Sequence, residues 1–191
     1  RTEDKKFSGR AGLVYKPADN GRIYVAYGTS FNPSAEFLTT MASGVSGATA
    51  DLSSEKNRSL ELGTKWAFFN SALELDGAIF RVEKTNAREQ LADGSYRLAG
   101  EQRVQGVELA ATGKVTDDWK VYANYTYLSS ETTKSNDAKK KGQALANTPP
   151  HSFNLWTTYD LPQGWQVGYG SRYVSQRNVT SADSAKLAEY W

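Results

Sequence analysis

The chain has 191 residues, and its 23 Lys and Arg against 21 Asp and Glu give a formal net charge of +2, too balanced for a nucleic-acid binder with a strong basic field. The sequence contains no Cys and one His, so disulfides, Cys-based zinc sites and multi-His metal sites are excluded. No apolar run approaches the roughly 20 residues of a membrane-spanning helix, whereas 12% aromatic residues and 16 Gly favour strands.

Eight runs of alternating character follow along the chain, each about ten residues long, which is the length of a tilted membrane-spanning strand. Apolar and aromatic side chains alternate with polar or small ones, and this predicts strands with two different faces. The alternation blurs at 80–83, which predicts a bulge in the fourth strand. In chain order the runs cover residues 7–16, 23–31, 59–68, 73–83, 106–111, 119–127, 152–161 and 165–173.

Short and long connections between the runs alternate strictly. The short ones are rich in turn-forming residues and lie at 17–21, 70–71, 116–118 and 162–164. The long ones are polar and cover 32–57, 86–102, 129–150 and 176–189. An outer-membrane barrel has tight periplasmic turns and long outside loops, whereas a β-sandwich has no reason to alternate in this way. The pattern therefore predicts an all-β fold, a transmembrane, antiparallel, up-and-down β-barrel.

The two faces of the predicted strands differ in chemistry. Aromatic residues next to the short turns predict a girdle at the periplasmic interface, formed by Tyr15, Phe68, Phe69, Trp119 and Trp165. The side chains predicted to point to lipid are Tyr15, Leu62, Trp66, Leu109, Tyr125, Leu155 and Val167. Those predicted to point to the lumen are Arg10, Lys65, Glu108, Asn124, Trp156 and Arg172. The lumen face is rich in Gly and Ser and carries charges that look unpaired, which favours a wide, wet lumen or a plugged one.

Five segments resemble TonB-dependent siderophore receptors, in the order found in that family. They are YVAYGTSFNP (24–33), SEKNRSLELGTKW (54–66), IFRVEKTNAR (79–88), GEQRVQGVEL (100–109) and NTPPHSFNLWTTY (147–159). The parts at 84–86 and 155–159 are most similar to the catecholate branch. The resemblance implies that residues 1–191 form about eight strands of a barrel of ~22 strands. The family's plug domain, its TonB-contacting segment and its last strands have no counterpart here.

The resemblance implies an outer-membrane receptor that takes up a ferric siderophore and is coupled to the TonB complex through an absent N-terminal part. Iron reaches such a receptor already wrapped in siderophore oxygens, so no cofactor and no protein metal site are expected. An anionic chelate with catechol rings needs cations and aromatic faces instead. Outer-membrane lipid and lipopolysaccharide are further implied partners, and the receptor is expected to be a monomer that binds no nucleic acid.

The long loops carry the candidate ligand-binding residues. Arg88, Tyr96, Arg97 and Arg103 occupy or flank the second long loop, and Phe37 lies in the first. The alternative interpretation of each is a solvated loop charge or a ring that packs within its own loop.

Three other features have simpler interpretations. Lys139–Lys141 is a solvated loop tip or, alternatively, a contact for lipopolysaccharide phosphates. His151 is expected at the outer interface rather than as a ligand-binding residue. Glu61 and Glu108 face the lumen from separate strands with no nucleophile or oxyanion motif nearby, so no catalytic residues and no enzymatic activity are expected.

Two other classes of protein fit parts of the pattern. The first is a small, complete eight-stranded outer-membrane barrel with a structural or adhesive role, in which Trp191 is the terminal aromatic residue. The lack of alternation at 186–190 argues against it, and residues 188–191 resemble the start of an element instead. The second is a soluble carbohydrate-binding β-domain with exposed aromatic rings, which would be monomeric without detergent.

Overall fold

The computed structural model describes residues 7–32, 54–90, 96–180 and 185–191. In these ranges eight long strands form one antiparallel sheet, and every strand pairs with its neighbour in the sequence, which confirms the predicted up-and-down order. They are β1 (Gly9–Ala18), β2 (Gly21–Asn32), β3 (Glu55–Phe68), β4 (Leu73–Gln90), β5 (Tyr96–Lys114), β6 (Trp119–Lys134), β7 (His151–Asp160) and β8 (Gln166–Val174). Two short strands, β9 (Arg177–Asn178) and β10 (Lys186–Leu187), pair with each other.

The edges of the sheet are β1 and β8, and within the described residues these two strands do not pair with each other. A complete eight-stranded barrel closes by pairing its first and last strands, so the alternative of a small closed barrel is wrong. Tyr190 instead forms an isolated bridge with Val174 of β8, where the sequence predicts the start of a further strand. In the described part of the chain, no helix has the length and apolar character needed to cross a membrane.

Short connections lie at one end of the sheet, here called the turn end, and long connections lie at the other, called the outer end. In the β3–β4 turn, Phe69, Asn70 and Ser71 have positive φ angles of 54°, 54° and 65°. The β7–β8 turn closes through the Leu161 N–H, which donates to the Trp165 carbonyl oxygen at 2.7 Å. The predicted alternation of short and long connections holds for the β2–β3 and β6–β7 connections, whereas the β4–β5 connection spans only residues 91–95 and is no longer than the β7–β8 turn.

Strands β4 and β5 are longer than the sequence pattern predicts. They contain 18 and 19 residues, and their pairing extends to Gln90 opposite Tyr96. The prediction of a loop over 86–102 is therefore wrong for most of that range. Polar side chains occupy both faces at the outer end. The alternation of apolar and polar residues therefore disappears from the sequence, although the backbone pairing of the strands continues.

The predicted bulge at 80–83 is also wrong. Arg81 and Glu83 pair in register with both neighbours of β4, and the register shifts only near Asn86, whose φ angle is 56°. The alternation blurs because the outward side chains become charged at Arg81 and Glu83, while the inward side chains change from the charged Glu74 and Asp76 to the apolar Phe80 and Val82. This reversal marks the outer edge of the apolar band on the outward face.

The backbone register places the two predicted sets of side chains on opposite faces. Directly paired residues of neighbouring strands share a face, so each face can be followed as a row across the sheet. One outward row contains Tyr15, Ile23, Thr64, Gly77, Leu109, Tyr125, Phe153 and Tyr173. One lumen row contains Val14, Tyr24, Gly63, Ala78, Glu108, Thr126, Ser152 and Val174. Every second residue along a strand lies on the same face as the residue in the row. Counting from these rows therefore confirms that the predicted lipid-facing residues and the predicted lumen-facing residues lie on opposite faces.

The outward face exposes large apolar side chains that a soluble domain would bury. Leu13 is 70% exposed and Val167 is 52% exposed, whereas the buried hydrophobic residues among those described are Ala87 and Val174. Transfer of apolar surface out of water is favourable by about 25 cal/mol per Å². Lipid therefore takes the place of a packed core, and the exposed indole of Trp165 at the turn end agrees with the predicted girdle.

Candidate functional site

Three aromatic rings of the lumen face lie against glycines of the neighbouring strand. A Cβ at Gly63 would lie 2.4 Å from Tyr24 Cζ, and a Cβ at Gly170 would lie 2.9 Å from Trp156 Cε3, so only glycine leaves room for these rings. The Trp156 ring nevertheless remains 56% exposed toward the lumen. Close packing of rings on backbone therefore accounts for several glycines of this face, although Gly12 and Gly28 do not lie against rings. The full set of contacts is Tyr24 with Gly63, Phe80 with Gly106, and Trp156 with Gly168 and Gly170.

Several lumen-facing charges have partners, contrary to the interpretation from the sequence. The Tyr24 hydroxyl donates to Glu61 Oε1 at 2.6 Å, and Lys65 Nζ lies 3.0 Å from Asp76 Oδ1. These contacts join β2 to β3 and β3 to β4 across the lumen wall. Arg172 differs, because among the described residues no carboxylate forms an ion pair with it. Cationic character toward the lumen therefore depends on a few particular arginines rather than on the wall as a whole.

Three of the predicted ligand-binding residues lie close together at the outer end of β4 and β5. Residues 88–90 pair with 96–98 in the backbone ladder, which brings Arg88 near Tyr96 and Arg97. The side chains of these three residues lie outside the described part of the structure. Their role in ligand binding stays a prediction, supported by this shared position on one hairpin.

Arg103 lies on the outward face of the sheet. Its Nη2 is 2.5 Å from Glu131 Oε2, and backbone pairing continues the row to Glu83 and Arg58, which also form an ion pair. The Arg103 guanidinium thus points away from the lumen and is already bound to a carboxylate. Its predicted role as a ligand residue has no support from this geometry. The remaining candidate, Phe37, lies outside the described residues.

His151 lies on the outward face at the outer end, where the sequence places it. Its Nδ1 is 2.8 Å from the Tyr125 hydroxyl oxygen, and its ring centroid is 5.2 Å from that of Tyr127. The His151 backbone N–H donates to Ser175 Oγ at 2.9 Å. The imidazole therefore belongs to an aromatic cluster at the interface, and this cluster does not reach the lumen.

A cluster that the sequence pattern did not reveal lies at the mouth, meaning the outer end of the lumen beside β7 and β8. Arg177 Nε donates to Asn147 Oδ1 at 2.8 Å, and the Arg177 Cζ lies 5.8 Å from the centre of the Tyr190 ring. Asn147 lies between β6 and β7, whereas Arg177 and Tyr190 both follow β8, so only the folded chain brings the three residues together. The positive φ of Asn147, 52°, is the local feature that shapes its loop.

Comparison with known proteins identifies the family. The protein-family model described as TonB-dependent receptor-like, β-barrel, matches residues 1–191 of this chain. The chain is 37% identical over 174 residues to the probable TonB-dependent receptor BfrD of Bordetella pertussis, covering 91% of this chain and 23% of BfrD. It is 34% identical over 176 residues to the catecholate siderophore receptor Fiu of Escherichia coli K12, covering 90% of this chain and 23% of Fiu. The chain thus spans about a quarter of the length of these relatives.

Solved structures contain the same arrangement of strands. The siderophore receptor PiuA of Acinetobacter baumannii matches with a TM-score of 0.86 and 34% identity, over 96% of this chain and 28% of that one. The ferric-catecholate import receptor Fiu of Escherichia coli K12 matches with a TM-score of 0.81 and 31% identity, over 96% of this chain and 27% of that one. The chain belongs to the TonB-dependent receptor β-barrel family and is part of an outer-membrane barrel.

Proposed function

We propose that the protein containing this chain is a TonB-dependent receptor that takes up a ferric siderophore, and that this siderophore is a catecholate. The observation that carries the proposal is the similarity of the whole strand set to a siderophore receptor and to a ferric-catecholate import receptor at more than 30% identity. The lumen wall supports it, because an exposed Trp156 ring lies on the strand next to that of Arg172, which has no ion-pair partner in the described ranges. Ring faces and cations are the groups that recognise an anionic aromatic chelate.

The proposed ligand brings its own iron coordination, so the receptor acts by binding and not by catalysis. Catecholate oxygens surround the ferric ion, which leaves the protein to contact the outer oxygens and rings of the chelate. The receptor then needs no resident cofactor and no metal ligands of its own. Energy for uptake comes from the TonB complex, through a part of the receptor that lies outside this chain.

The β4–β5 hairpin is the proposed position of ligand contacts from the second long loop. Arg88, Tyr96 and Arg97 lie at its end, and Phe37 of the first long loop remains a further candidate. Charge-assisted hydrogen bonds from arginine to an anion are worth about 1.5–3 kcal/mol each. Two such bonds are enough to distinguish an anionic catecholate complex from a neutral one of similar size.

The experiment that tests the proposal uses the full-length receptor. Purified protein is titrated with the ferric complex of a synthetic hexadentate tris-catecholamide, which is anionic, and with that of a tris-hydroxamate, which is neutral. Radioiron uptake is then measured in cells with and without the receptor, and in cells without TonB. We expect tight binding of the catecholate complex and uptake that requires both proteins.

Two results would contradict different parts of the proposal. Preference for the neutral hydroxamate complex would remove the catecholate assignment and keep the siderophore receptor. Absence of binding to either ferric complex, by a protein that is folded in detergent, would remove siderophore transport altogether.

Contacts with lipopolysaccharide form a second part of the proposal. Arg58 and Arg81 both contact Glu83 on the outward face above the apolar band, and the basic tip Lys139–Lys141 lies in the β6–β7 loop. Cations at this height meet the phosphates of the outer leaflet. Mass spectrometry of the intact receptor, released from native membrane, is expected to show a monomer with bound lipopolysaccharide. Loss of that lipid in an Arg58→Ala/Arg81→Ala variant supports the contact, and unchanged lipid argues against it.

A further inference from the structure

The chain that follows β8 turns back and meets the end of β8 again at the mouth. Val174 and Tyr190 donate backbone hydrogen bonds to each other, both of 3.0 Å. Val174 lies opposite Ser152 in the lumen row. Since paired residues share a face, the Tyr190 side chain lies on the lumen side of the sheet and not on the lipid side.

Arg177 is held in one orientation beside this ring. Its Nε–H donates to Asn147 Oδ1 at 2.8 Å, while its Cζ is 5.8 Å from the Tyr190 ring centre, within the range of a cation–π contact. The Asn147 N–H in turn donates to the Asn178 carbonyl oxygen at 2.8 Å. Two loops and a ring therefore fix the guanidinium before any ligand arrives, which lowers the entropy lost on binding.

The Arg177 guanidinium lacks an anionic partner among the described residues. Its Nη1 is buried and donates no hydrogen bond, and none of the described carboxylates forms an ion pair with it. Some arginines of the sheet are compensated, as Arg22 is by Glu74 and Arg81 by Glu83, whereas Arg172 shares with Arg177 the lack of a carboxylate partner among the described residues. A buried donor and a charge without partners are unfavourable, so this cluster is suited to an acceptor from outside the chain.

We infer that Arg177 is an anion-binding residue at the mouth, which binds the oxygens of a ferric chelate while Tyr190 presents a ring face to its aromatic groups. The inference rests on the proposed function and assigns that function a contact outside the β4–β5 hairpin. The planar guanidinium offers two N–H groups side by side, which suits the adjacent oxygens of a catecholate. Arg177 is half-buried, so part of its side chain remains accessible to ligand oxygens that enter at the mouth.

The test compares an anionic and a neutral probe on the same full-length receptor. The probes are the ferric complexes of the synthetic tris-catecholamide and tris-hydroxamate, titrated against wild type, Arg177→Ala and Arg177→Gln. The second variant keeps a polar, uncharged and shorter side chain that can still hydrogen-bond, in case the first does not fold. Arg22→Ala serves as the matched control, because Arg22 lies at the turn end of β2 and pairs with Glu74.

We expect both Arg177 variants to bind the catecholate complex about tenfold or more weakly, with unchanged affinity for any neutral complex that wild type binds. Added salt is expected to lower the affinity of wild type for the catecholate complex more than it lowers the affinity of the variants. Arg22→Ala is expected to match wild type. Equal affinity of wild type and both variants for the catecholate complex would overturn the inference and leave the proposed function intact. A wild type that binds neither probe would overturn both.

A purely structural role predicts a different pattern. If Arg177 only holds the loops together, its replacement lowers affinity for every ferric complex that wild type binds, and the salt dependence stays that of wild type. Tyr190→Phe keeps the ring and the loop contact, so it is expected to bind near wild type. Tyr190→Ala removes the ring face and is expected to weaken the catecholate complex severalfold.

Discussion

The membrane band and the outer rim of this sheet share one backbone ladder and differ in chemistry. In the band, which lies on the turn-end side of Ile79 in β4, outward side chains are largely apolar, with exceptions such as Thr64, and several inward ones are charged. In the rim, beyond Ile79, Arg81 and Glu83 point outward, whereas Phe80 and Val82 point inward. Strand geometry is the same in both regions, so the surroundings decide the pattern. Lipid selects apolar outward residues in the band, and headgroups and water admit charges in the rim.

The sharpest way to break this comparison is to place a charge in each region. Leu155 faces outward in the band, and Leu155→Arg is expected to lower the free energy of unfolding by about 2–4 kcal/mol. Gln105 pairs with Arg81 on the outward face of the rim, and Gln105→Arg is expected to cost no more than about 1 kcal/mol. The measurement is urea unfolding of the full-length receptor in lipid vesicles. Equal costs at the two positions would mean that the apolar band does not end where β4 changes character.

A glycine substitution tests the packing that both regions share. A Cβ at Gly106 would lie 2.1 Å from the Tyr127 carbonyl oxygen, so Gly106→Ala must displace backbone and is expected to cost about 1–3 kcal/mol. A Cβ at Gly77 finds its nearest neighbour, Leu109 Cδ2, at 3.5 Å, which is an ordinary contact. Gly77→Ala is therefore expected to be neutral or stabilising, since alanine loses less entropy than glycine. Similar losses at the two positions would refute the close approach at Gly106.

The next prediction concerns ligand contacts above the rim. The Arg88→Ala/Arg97→Ala double variant is expected to bind the ferric tris-catecholamide about tenfold more weakly or worse, because two charge-assisted hydrogen bonds are lost. His151→Ala is the matched comparison, and its affinity is expected to stay near wild type because the imidazole packs with Tyr125 and Tyr127 on the outward face. Unchanged affinity of the double variant would remove the β4–β5 hairpin from the site. A large loss in His151→Ala would place the site elsewhere.

The part of the fold that the sequence predicts correctly is the part that lipid constrains. A row such as Leu109, Tyr125 and Phe153 must be apolar on one face, so period two is strong and the strand faces follow from it. Beyond the band this constraint ends. The ladder of β4 and β5 continues through 84–90 and 96–102 with polar residues on both faces, and the sequence pattern then resembles a loop. The same loss of alternation between apolar and polar residues led to the incorrect prediction of a bulge at 80–83.

The candidate site was less predictable because contacts at the mouth depend on loop geometry. Arg103 sits next to a long polar segment in sequence, yet the register sends its side chain to the lipid side. Arg177 looks like any solvated polar residue until Asn147, from the segment before β7, and Tyr190, further along its own segment, are brought to it. Parity along the strand gives the outward direction of Arg103 once the ladder is known. No local signal identifies the Arg177 cluster, since its contacts join residues 30 positions apart or come from a returning loop.

The smallest expected effect belongs to the exposed ion pairs of the rim, and it tests whether rim charges matter for folding. Arg103 and Glu131 lie 2.5 Å apart with side chains 31% and 39% exposed, so water and salt screen their attraction. Arg103→Ala is expected to lower the free energy of unfolding by about 0.2–1 kcal/mol, with the loss shrinking further in high salt. Affinity for the ferric tris-catecholamide is expected to remain that of wild type, because the guanidinium points away from the lumen. A tenfold loss of affinity without a loss of stability would show that Arg103 turns toward the ligand. The outward ion pair of Arg103 with Glu131 would then be only one of two conformations of this side chain.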